Sequence, residues 1–198
     1  MADRFRVGRA FLVGDAAHRV TPRGGTGMNT ALQSGYDIGW KLAWVLRGWS
    51  EPGLLDTYET GRRIVAEHNL ARSTDPDGSR RTVVDELAVD LGSRLAHAWL
   101  PSATGRVSTF DLLGPGWTLF TGPSPEVWAA AAPSRAALDV RLLDAASTRA
   151  LGVRGDGALL ARPDGVPVAV WTSAAGASDL QRAMVLPVAR PAPHRAVA

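Results

Sequence analysis

The residues of this sequence that are best placed for chemistry lie in segment 11–29, which joins an apolar run to a glycine-rich turn. The apolar run 11–13 ends at Gly14 and Asp15, and three more glycines follow before a helical pattern begins. A carboxylate at the end of a strand can accept hydrogen bonds from sugar or polyol hydroxyls. The glycines bring backbone N–H groups and a helix N-terminus close to an electron-rich group. This spacing predicts a cofactor site.

The order of residue types in this segment closely resembles the flavin-binding segment of the FAD-dependent aromatic hydroxylases, the group A flavoprotein monooxygenases. The resemblance rests on Gly14-Asp15, the Ala-Ala-His that follows, and the spacing of the later glycines and Asn29. It implies that Asp15 accepts hydrogen bonds from the ribityl hydroxyls of FAD. It also implies that the flavin pyrimidine edge faces the positive end of the next helix, where the Met28 backbone and Asn29 donate. The cofactor-binding residues implied are Gly14, Asp15, Pro22, Gly24, Gly25, Gly27, Met28 and Asn29.

Each of these residues also has a simpler structural interpretation. Asp15 can be a turn aspartate that caps local backbone N–H groups, and the glycines can be ordinary loop residues. His18 can act in proton transfer, but a lone histidine without a paired acid or nucleophile is more often a structural hydrogen-bonding group. No residue is assigned a catalytic role. No metal site is predicted, because the other histidines lack the spacing of metal ligands.

The elements that position the segment follow from the spacing of apolar residues. A short buried strand is predicted at 9–14, because its apolar residues do not alternate with polar ones. A helix begins at Met28, and Gly48 and the Pro52-Gly53 pair end it; its apolar residues recur at three- and four-residue intervals. The predicted apolar face comprises Met28, Ala31, Leu32, Gly35, Ile38, Gly39, Leu42, Val45, Leu46 and Trp49. A second helix is predicted from Leu54 to about Arg72, with outward-facing Arg62, Arg63 and Glu67.

Shorter elements are predicted in the rest of the chain. A third helix is expected from about Ser79 to Trp99, and 101–105 has the composition of a linker. Asp164-Gly165 is a hairpin signal. Beyond the linker the predicted elements are strands at 117–121, 137–143, 158–162 and 166–171, and helices at 125–132 and 179–186.

The predicted fold class is α/β and α+β, in two domains with a frayed tail. By resemblance, residues 1–104 are the C-terminal remnant of a para-hydroxybenzoate-hydroxylase-like FAD-binding domain, with a strand, a glycine-rich turn and three helices. Residues 105–186 resemble the thioredoxin-like domain of the phenol-hydroxylase and rifampicin-monooxygenase branch, and 187–198 form the tail. Because the chain has no cysteine, this second domain cannot perform thiol exchange.

The resemblance implies an enzyme in which NAD(P)H reduces FAD, and one atom of O2 is then transferred to a phenolic or polyketide-type aromatic substrate. The dinucleotide-binding fingerprint G-x-G-x-x-G is absent from the sequence. We therefore expect a missing N-terminal FAD-binding part, on a separate chain if the gene is split, and no activity from this chain alone. A homodimer is compatible with the resemblance. The alternative is a non-catalytic interaction or structural domain from a truncated or split gene.

Composition and charge argue against other classes of function. The net charge is only +3, and the pairs Arg62-Arg63 and Arg80-Arg81 lie among acidic residues, so nucleic-acid binding is not predicted. No apolar stretch approaches the roughly 20 residues that a membrane-spanning helix needs, so no membrane association is predicted. The N-terminus lacks the apolar core of a signal peptide, and the lack of cysteine agrees with a cytoplasmic protein.

Overall fold

A computed structural model of the chain describes residues 1–21, 25–75, 89–90, 93–133 and 137–185. Within these residues the chain divides into two units, and the division falls between Ser93 and Arg94. This point lies before the domain boundary after residue 104 that the sequence suggested. Each unit has its own cluster of buried apolar side chains. Helices and sheet are mixed along the chain, in agreement with an α/β fold class.

The first unit is mainly helical, and its two long helices lie close to the predicted positions. Its elements are β1 (Arg6–Val7), β2 (Ala10–Phe11), α1 (Asp15–His18), α2 (Gly27–Leu46), a 3-10 turn (Pro52–Leu55) and α3 (Asp56–Thr74). The chain leaves α2 through Gly48, whose φ is 69°, as the predicted helix end requires. In the described part of the chain, no helix is long and apolar enough to cross a membrane.

The strand predicted at 9–14 is wrong in both its length and its surroundings. Only Ala10–Phe11 is a strand, and it pairs antiparallel with Arg6–Val7 as a two-stranded hairpin. Leu12 is 41% exposed. An apolar run without alternation indicates a strand that is covered on both faces. Among the described residues, only the β1 strand pairs with this run, so its apolar side chains are not fully covered.

The face that α2 buries agrees only in part with the one predicted: Ile38, Leu42 and Val45 contribute to the core, but the residues nearer the N-terminus do not. Its buried residues are Thr30, Ser34, Ile38, Trp40, Lys41 and Trp44. Met28 and Leu32, both on the predicted apolar face, are 72% and 62% exposed. The physical reason is that Arg62 and Asn69 of α3 donate hydrogen bonds to the buried hydroxyls of Ser34 and Thr30. The side of α2 that carries these two hydroxyls therefore faces α3 in the N-terminal half of α2.

The core of the first unit fixes the N-terminal hairpin against α3. The buried cluster consists of Phe5, Ala17, Ile38, Leu55, Tyr58 and Ala66. The Tyr58 hydroxyl donates a 2.8 Å hydrogen bond to the Leu12 carbonyl. Burial raises the pKa of Tyr58 to about 12, so the phenol keeps its proton. Glu59 of α3 accepts hydrogen bonds from the Phe5 and Arg6 backbone N–H groups, at 3.0 and 3.2 Å.

The second unit contains a four-stranded mixed sheet. Its elements are β3 (Trp99–Ser102), β4 (Gly105–Ser108), β5 (Trp117–Thr121), α4 (Glu126–Ala131), β6 (Leu138–Leu142), α5 (Ala145–Ala150), β7 (Ala158–Ala161), β8 (Pro167–Trp171), a 3-10 turn (Ala174–Asp179) and α6 (Leu180–Val185). The sheet order is β6-β5-β7-β8. Strand β5 is parallel to β6 and antiparallel to β7, and β7 is antiparallel to β8. Every residue of β5 is buried.

Most of the predicted elements of this unit are confirmed, and two predictions around its start are wrong. The strands and the Asp164-Gly165 hairpin lie where the sequence indicated them. The third helix was predicted over residues that lie largely outside the described ones, but residue 99 begins a strand, not a helix end. The predicted linker is the turn of the β3–β4 hairpin. Helix α5 was missed, although Asp144 caps it by accepting from the Ala146 and Ser147 N–H groups.

The hydrogen bond from Tyr58 to Leu12 gives a direct test of the packing of the first unit. Tyr58→Phe removes one hydroxyl from a fully buried ring and keeps its shape. Loss of such a hydrogen bond should lower the free energy of unfolding by roughly 0.5–1.5 kcal/mol. Urea unfolding followed by circular dichroism measures the change. An unchanged midpoint would mean that the bond contributes nothing to stability.

Candidate cofactor site

Gly14 forms a turn that no other residue type can replace without strain. Its φ is 61° and its ψ −135°, and its carbonyl accepts hydrogen bonds of 2.9 Å from the Ala17 and His18 N–H groups. A Cβ atom at Gly14 would lie 3.2 Å from the Cβ of Ala31 in α2. The missing side chain therefore allows the turn before α1 to pack directly against α2.

Asp15 is the first residue of α1, and its side chain is exposed. In the described part of the chain, no group donates a hydrogen bond to its carboxylate. The interpretation of Asp15 as a turn-capping residue therefore finds no support among these residues. An exposed carboxylate without an internal donor is available to a ligand.

The glycine-rich turn is described only in part, because Pro22 and Gly24 lie outside the described residues. Gly25 has φ 67°, which suits the left-handed turn predicted before the helix. Gly27 begins α2, and a Cβ there would lie 3.0 Å from Cγ2 of Val20. The close approach that Gly27 permits is thus to the protein's own side chain.

The N-terminal turn of α2 presents open hydrogen-bond donors. The first backbone N–H with a partner inside the helix is that of Thr30, which donates to the Thr26 carbonyl at 2.9 Å. The Thr26 side chain makes no capping hydrogen bond. The N–H groups of Gly27, Met28 and Asn29 are therefore without helical partners, at the positive end of a 20-residue helix. Met28 and Asn29 are both exposed.

Below these elements lies a group of buried polar side chains that the sequence analysis did not predict. We call it the buried polar cluster, and it consists of His18, Thr30, Ser34, Arg62, Asn69 and Asp90. The residues come from α1, α2, α3 and the segment around residue 90. The signal available in the sequence was the repetition of Thr26, Thr30 and Ser34 at four-residue intervals, which places three hydroxyls on one face of α2 and its N-cap residue.

The hydroxyls of the cluster bond to their own helix and accept from other elements. The Thr30 hydroxyl donates to the Thr26 carbonyl at 2.9 Å, and the Ser34 hydroxyl donates to the Thr30 carbonyl at 3.0 Å. Asn69 Nδ2 lies 2.7 Å from the Thr30 oxygen. His18 Nε2 lies 2.8 Å from the Ser34 oxygen. We call the Thr30 and Ser34 side chains the hydroxyl stripe of α2. Through these two side chains α2 contacts both α1 and α3.

Arg62 was predicted to face outward, and this is wrong. Its Nε donates to the Ser34 hydroxyl oxygen at 3.1 Å, and Nη2 donates to the Thr30 carbonyl at 3.2 Å. Nη1 donates to Asp90 at 2.6 Å in an ion pair whose side chains are 8% and 5% exposed. The guanidinium can be buried because its donors find several acceptors at once.

His18 is a buried hydrogen-bonding residue and does not lie on the exposed face with Asp15. It is 2% exposed, and its ring centroid is 5.8 Å from that of Phe5. Burial is the main cause that lowers the pKa of His18, and the charge of Arg62 lowers it further. A backbone hydrogen bond of His18 and the charges of Asp15 and Asp90 oppose the shift. The geometry agrees with a structural role for this histidine.

Comparison with known families identifies the class of protein. Residues 1–73 match the family described as FAD binding domain. Residues 89–191, which are more than half of the chain, match the family described as aromatic-ring hydroxylase, C-terminal. The chain therefore belongs to the FAD-dependent aromatic-ring hydroxylases.

Individual relatives support this assignment. Aklavinone 12-hydroxylase of Streptomyces purpurascens is 32% identical over 229 residues, which cover 90% of this chain and 42% of that enzyme. Pentachlorophenol 4-monooxygenase of Sphingobium chlorophenolicum is 51% identical over 112 residues, covering 54% of this chain and 20% of that enzyme. The ternary complex of aklavinone-11 hydroxylase with FAD and aklavinone superposes with a TM-score of 0.77 at 31% identity, covering 93% and 44% of the two chains. This chain thus spans less than half the length of these relatives.

The lowered pKa of His18 predicts a pH dependence of stability. Because the folded-state pKa lies below the ordinary value of 6.5, the unfolded state takes up this proton first as the pH falls. The contribution of His18 to the unfolding free energy is therefore complete above about pH 6.5 and decreases as the pH falls toward the folded-state pKa. We expect His18→Gln to remove this part of the pH dependence, because glutamine does not titrate.

The measurement is a series of urea unfolding curves for both proteins between about pH 5 and 8. The other histidines are common to the two proteins, so their contributions cancel in the difference. Parallel stability curves for wild type and His18→Gln would contradict a lowered pKa of His18.

Proposed function

We propose that this chain binds the flavin end of FAD in an NAD(P)H-dependent monooxygenase that hydroxylates a phenolic or polyketide-type aromatic ring with O2. The observation that carries the proposal is the pairing of an open carboxylate, Asp15, with the open N–H groups of α2. The contact between Gly14 and Ala31 holds the two together. The relatives named as aklavinone 12-hydroxylase and pentachlorophenol 4-monooxygenase support the substrate class.

The described residues fit the flavin end of the cofactor chemically. The ribityl chain offers hydroxyl donors, which an exposed carboxylate accepts, and the pyrimidine edge offers carbonyl acceptors, which helical N–H groups satisfy. Bound FAD supplies the redox chemistry, while the protein residues orient it and stabilise negative charge at the helix end. The proposed cofactor-binding residues are Gly14, Asp15, Pro22, Gly24, Gly25, Gly27, Met28 and Asn29.

The remaining part of FAD requires residues outside this chain. The sequence has no G-x-G-x-x-G fingerprint to bind the pyrophosphate, and the chain spans 42% of the length of aklavinone 12-hydroxylase. The exposed apolar residues Met28 and Leu32 agree with a further polypeptide part that covers this side of α2. We infer that an N-terminal FAD-binding part completes the site, and that this chain alone is inactive.

For the second unit we propose a thioredoxin-like domain with a packing role, including the contact of a homodimer. The support is the succession β5-α4-β6-α5-β7-β8-α6 and the sheet order β6-β5-β7-β8, with one parallel and two antiparallel pairings. The sequence has no cysteine, which excludes thiol exchange. The domains predicted from the sequence are residues 1–104, 105–186 and the tail 187–198. We propose to move the first boundary to between Ser93 and Arg94, because a boundary after residue 104 would divide the β3–β4 hairpin.

The role of Asp15 can be tested by supplying the N-terminal part of a relative together with this chain. Asp15→Ala should then weaken FAD binding roughly tenfold or more, because losing a charged hydrogen-bond acceptor costs about 1.5–3 kcal/mol. Fluorescence titration of FAD measures the affinity. Asp3→Ala removes another exposed carboxylate of the same unit and should leave the affinity unchanged. Equal affinities for wild type and Asp15→Ala would reject the role.

The incompleteness of the site predicts that the purified 198-residue chain is colourless. It should show no flavin absorbance, and it should oxidise no NAD(P)H when FAD is added, because the pyrophosphate and adenine contacts are missing. Absorbance spectra and an NAD(P)H oxidation assay, with a complete relative as the positive control, provide the measurement. A yellow chain with stoichiometric FAD would show that the site is assembled in another way, for example across a dimer.

A further inference from the structure

The hydroxyl of Ser34 determines which of its neighbours must carry a hydrogen. It has three polar neighbours: the Thr30 carbonyl at 3.0 Å, Arg62 Nε at 3.1 Å and His18 Nε2 at 2.8 Å. A carbonyl only accepts and an arginine Nε only donates. The Ser34 hydroxyl donates its single hydrogen to the Thr30 carbonyl, and one oxygen lone pair accepts from Arg62 Nε. The other lone pair is left for a hydrogen on His18 Nε2.

We propose that His18 is a positioning residue of the flavin site, whose Nε2–H donates to Ser34 and thereby fixes the turn that carries Asp15 onto α2. The proposal rests on the proposed function, because that function identifies FAD as the ligand. The hydrogen bond between His18 and Ser34 is independent of that function. His18 touches neither the ligand nor the reacting atoms in this arrangement. It acts through Asp15 and through the N-terminal turn of α2.

The short helix α1 is well suited to this role because its two ends have opposite surroundings. Asp15, the first residue, is exposed, and His18, the last, is buried. The proposed ligand-binding carboxylate of Asp15 therefore lies at one end of α1, and His18, which contacts Ser34 of α2, lies at the other. A helix this short has little stability of its own, so its orientation depends on tertiary contacts.

Two separate contacts attach this turn to α2. The Cα of Gly14 packs close to Ala31, where a Cβ would come within 3.2 Å, and His18 bonds to Ser34. Ala31 and Ser34 are three residues apart in α2 and therefore lie on neighbouring faces one turn apart. One contact alone would leave the turn free to rotate about it. Two contacts fix both the position and the rotation of the turn that carries Asp15 relative to the open N–H groups.

The surroundings of His18 favour donation from a neutral ring. The ring lies against Phe5, and the positive charge of Arg62 disfavours a second proton. A hydrogen bond to the backbone of His18 and the charges of Asp15 and Asp90 favour a positive ring, but burial is the larger effect. With one proton on the ring, Ser34 and the backbone carbonyl of His18 compete for it, and the 2.8 Å contact with Ser34 assigns it to Nε2.

The first test is the tautomer of His18, measured by nitrogen-15 NMR of the imidazole in the full 198-residue chain. Long-range proton–nitrogen correlations distinguish a protonated Nε2 from a protonated Nδ1. We expect a neutral Nε2–H ring at neutral pH. An Nδ1–H tautomer, or a ring that takes up its second proton like a free imidazole, would overturn the proposal. This test needs no FAD.

The second test separates positioning from simple stabilisation, in the chain complemented with the N-terminal part of a relative. His18→Leu keeps apolar volume but removes the donor, and His18→Gln keeps an N–H donor of similar reach. We expect His18→Leu to weaken FAD binding roughly three- to tenfold and His18→Gln to restore it to within about twofold. The same loss in both variants, or no loss in either, would overturn the proposal.

Asn69→Leu is the matched control. Asn69 donates to the Thr30 hydroxyl of the same cluster, but it lies on α3 and its hydrogen bond joins α3 to α2 rather than to α1. The variant should lower the free energy of unfolding without changing FAD affinity. An equal loss of affinity in Asn69→Leu would assign the effect to general loosening and overturn the positioning role. If the wild-type complex binds no FAD, the proposed function fails, while the tautomer measurement still decides the His18–Ser34 bond.

Discussion

The guanidinium of Arg62 is the group on which the arrangement of the first unit depends. It bonds simultaneously to a side chain of α2, to a backbone carbonyl of α2 and to the carboxylate of Asp90. Burying a charge is unfavourable unless hydrogen bonds and an opposite charge offset the loss of water, and here both are present. Because hydrogen bonds are directional, this group fixes the rotation of α3 against α2 more narrowly than apolar contacts alone.

This fixed rotation of α3 against α2 explains why Thr30 and Ser34 are buried between the two helices, where apolar residues are usual. Each hydroxyl of the α2 stripe sends its hydrogen to its own helix, so the oxygens require donors from neighbouring elements. Arg62, Asn69 and His18 are the donors that the fold places there. Internal hydrogen bonds thus join the side chains of the buried polar cluster, although Asn69 Oδ1 has no hydrogen-bond partner among the described residues. On the exposed side, the Asp15 carboxylate and the first N–H groups of α2 have no internal partner in the described part of the chain, as the proposed flavin site requires. The same short helix α1 contributes to both sides.

The sequence predicted most of the regular elements, but not the environment of the buried side chains, and the location of the cofactor site stays a prediction. The helices α2 and α3, the strand β5 and the Asp164-Gly165 hairpin follow local signals, and the structure contains them. The burial of Arg62 could not be predicted from periodicity, because it depends on Asp90, 28 residues away. Apolar periodicity also treats Thr30 and Ser34 as neutral, although their spacing on one helix face was the available signal. Apolar periodicity also missed the helix α5, which is only six residues long. Its sequence signal is the capping residue Asp144 and not a repeat of apolar residues.

The wrongly predicted N-terminal part of the α2 face carries information of its own. The apolar spacing that favoured Met28 and Leu32 is present in the sequence, yet both side chains are largely exposed, and Tyr36, one turn further along, is 50% exposed. Single exposed apolar residues are ordinary, but three at four-residue intervals form one continuous stripe. A helix with a satisfied polar side against α3 and an apolar stripe on another side is suited to packing between two layers. Since the chain spans 42% of the length of aklavinone 12-hydroxylase, the stripe supports the proposal that a second layer belongs to the N-terminal FAD-binding part. Under this proposal the disagreement between periodicity and burial has a physical reason, because the proposed part would cover the exposed stripe.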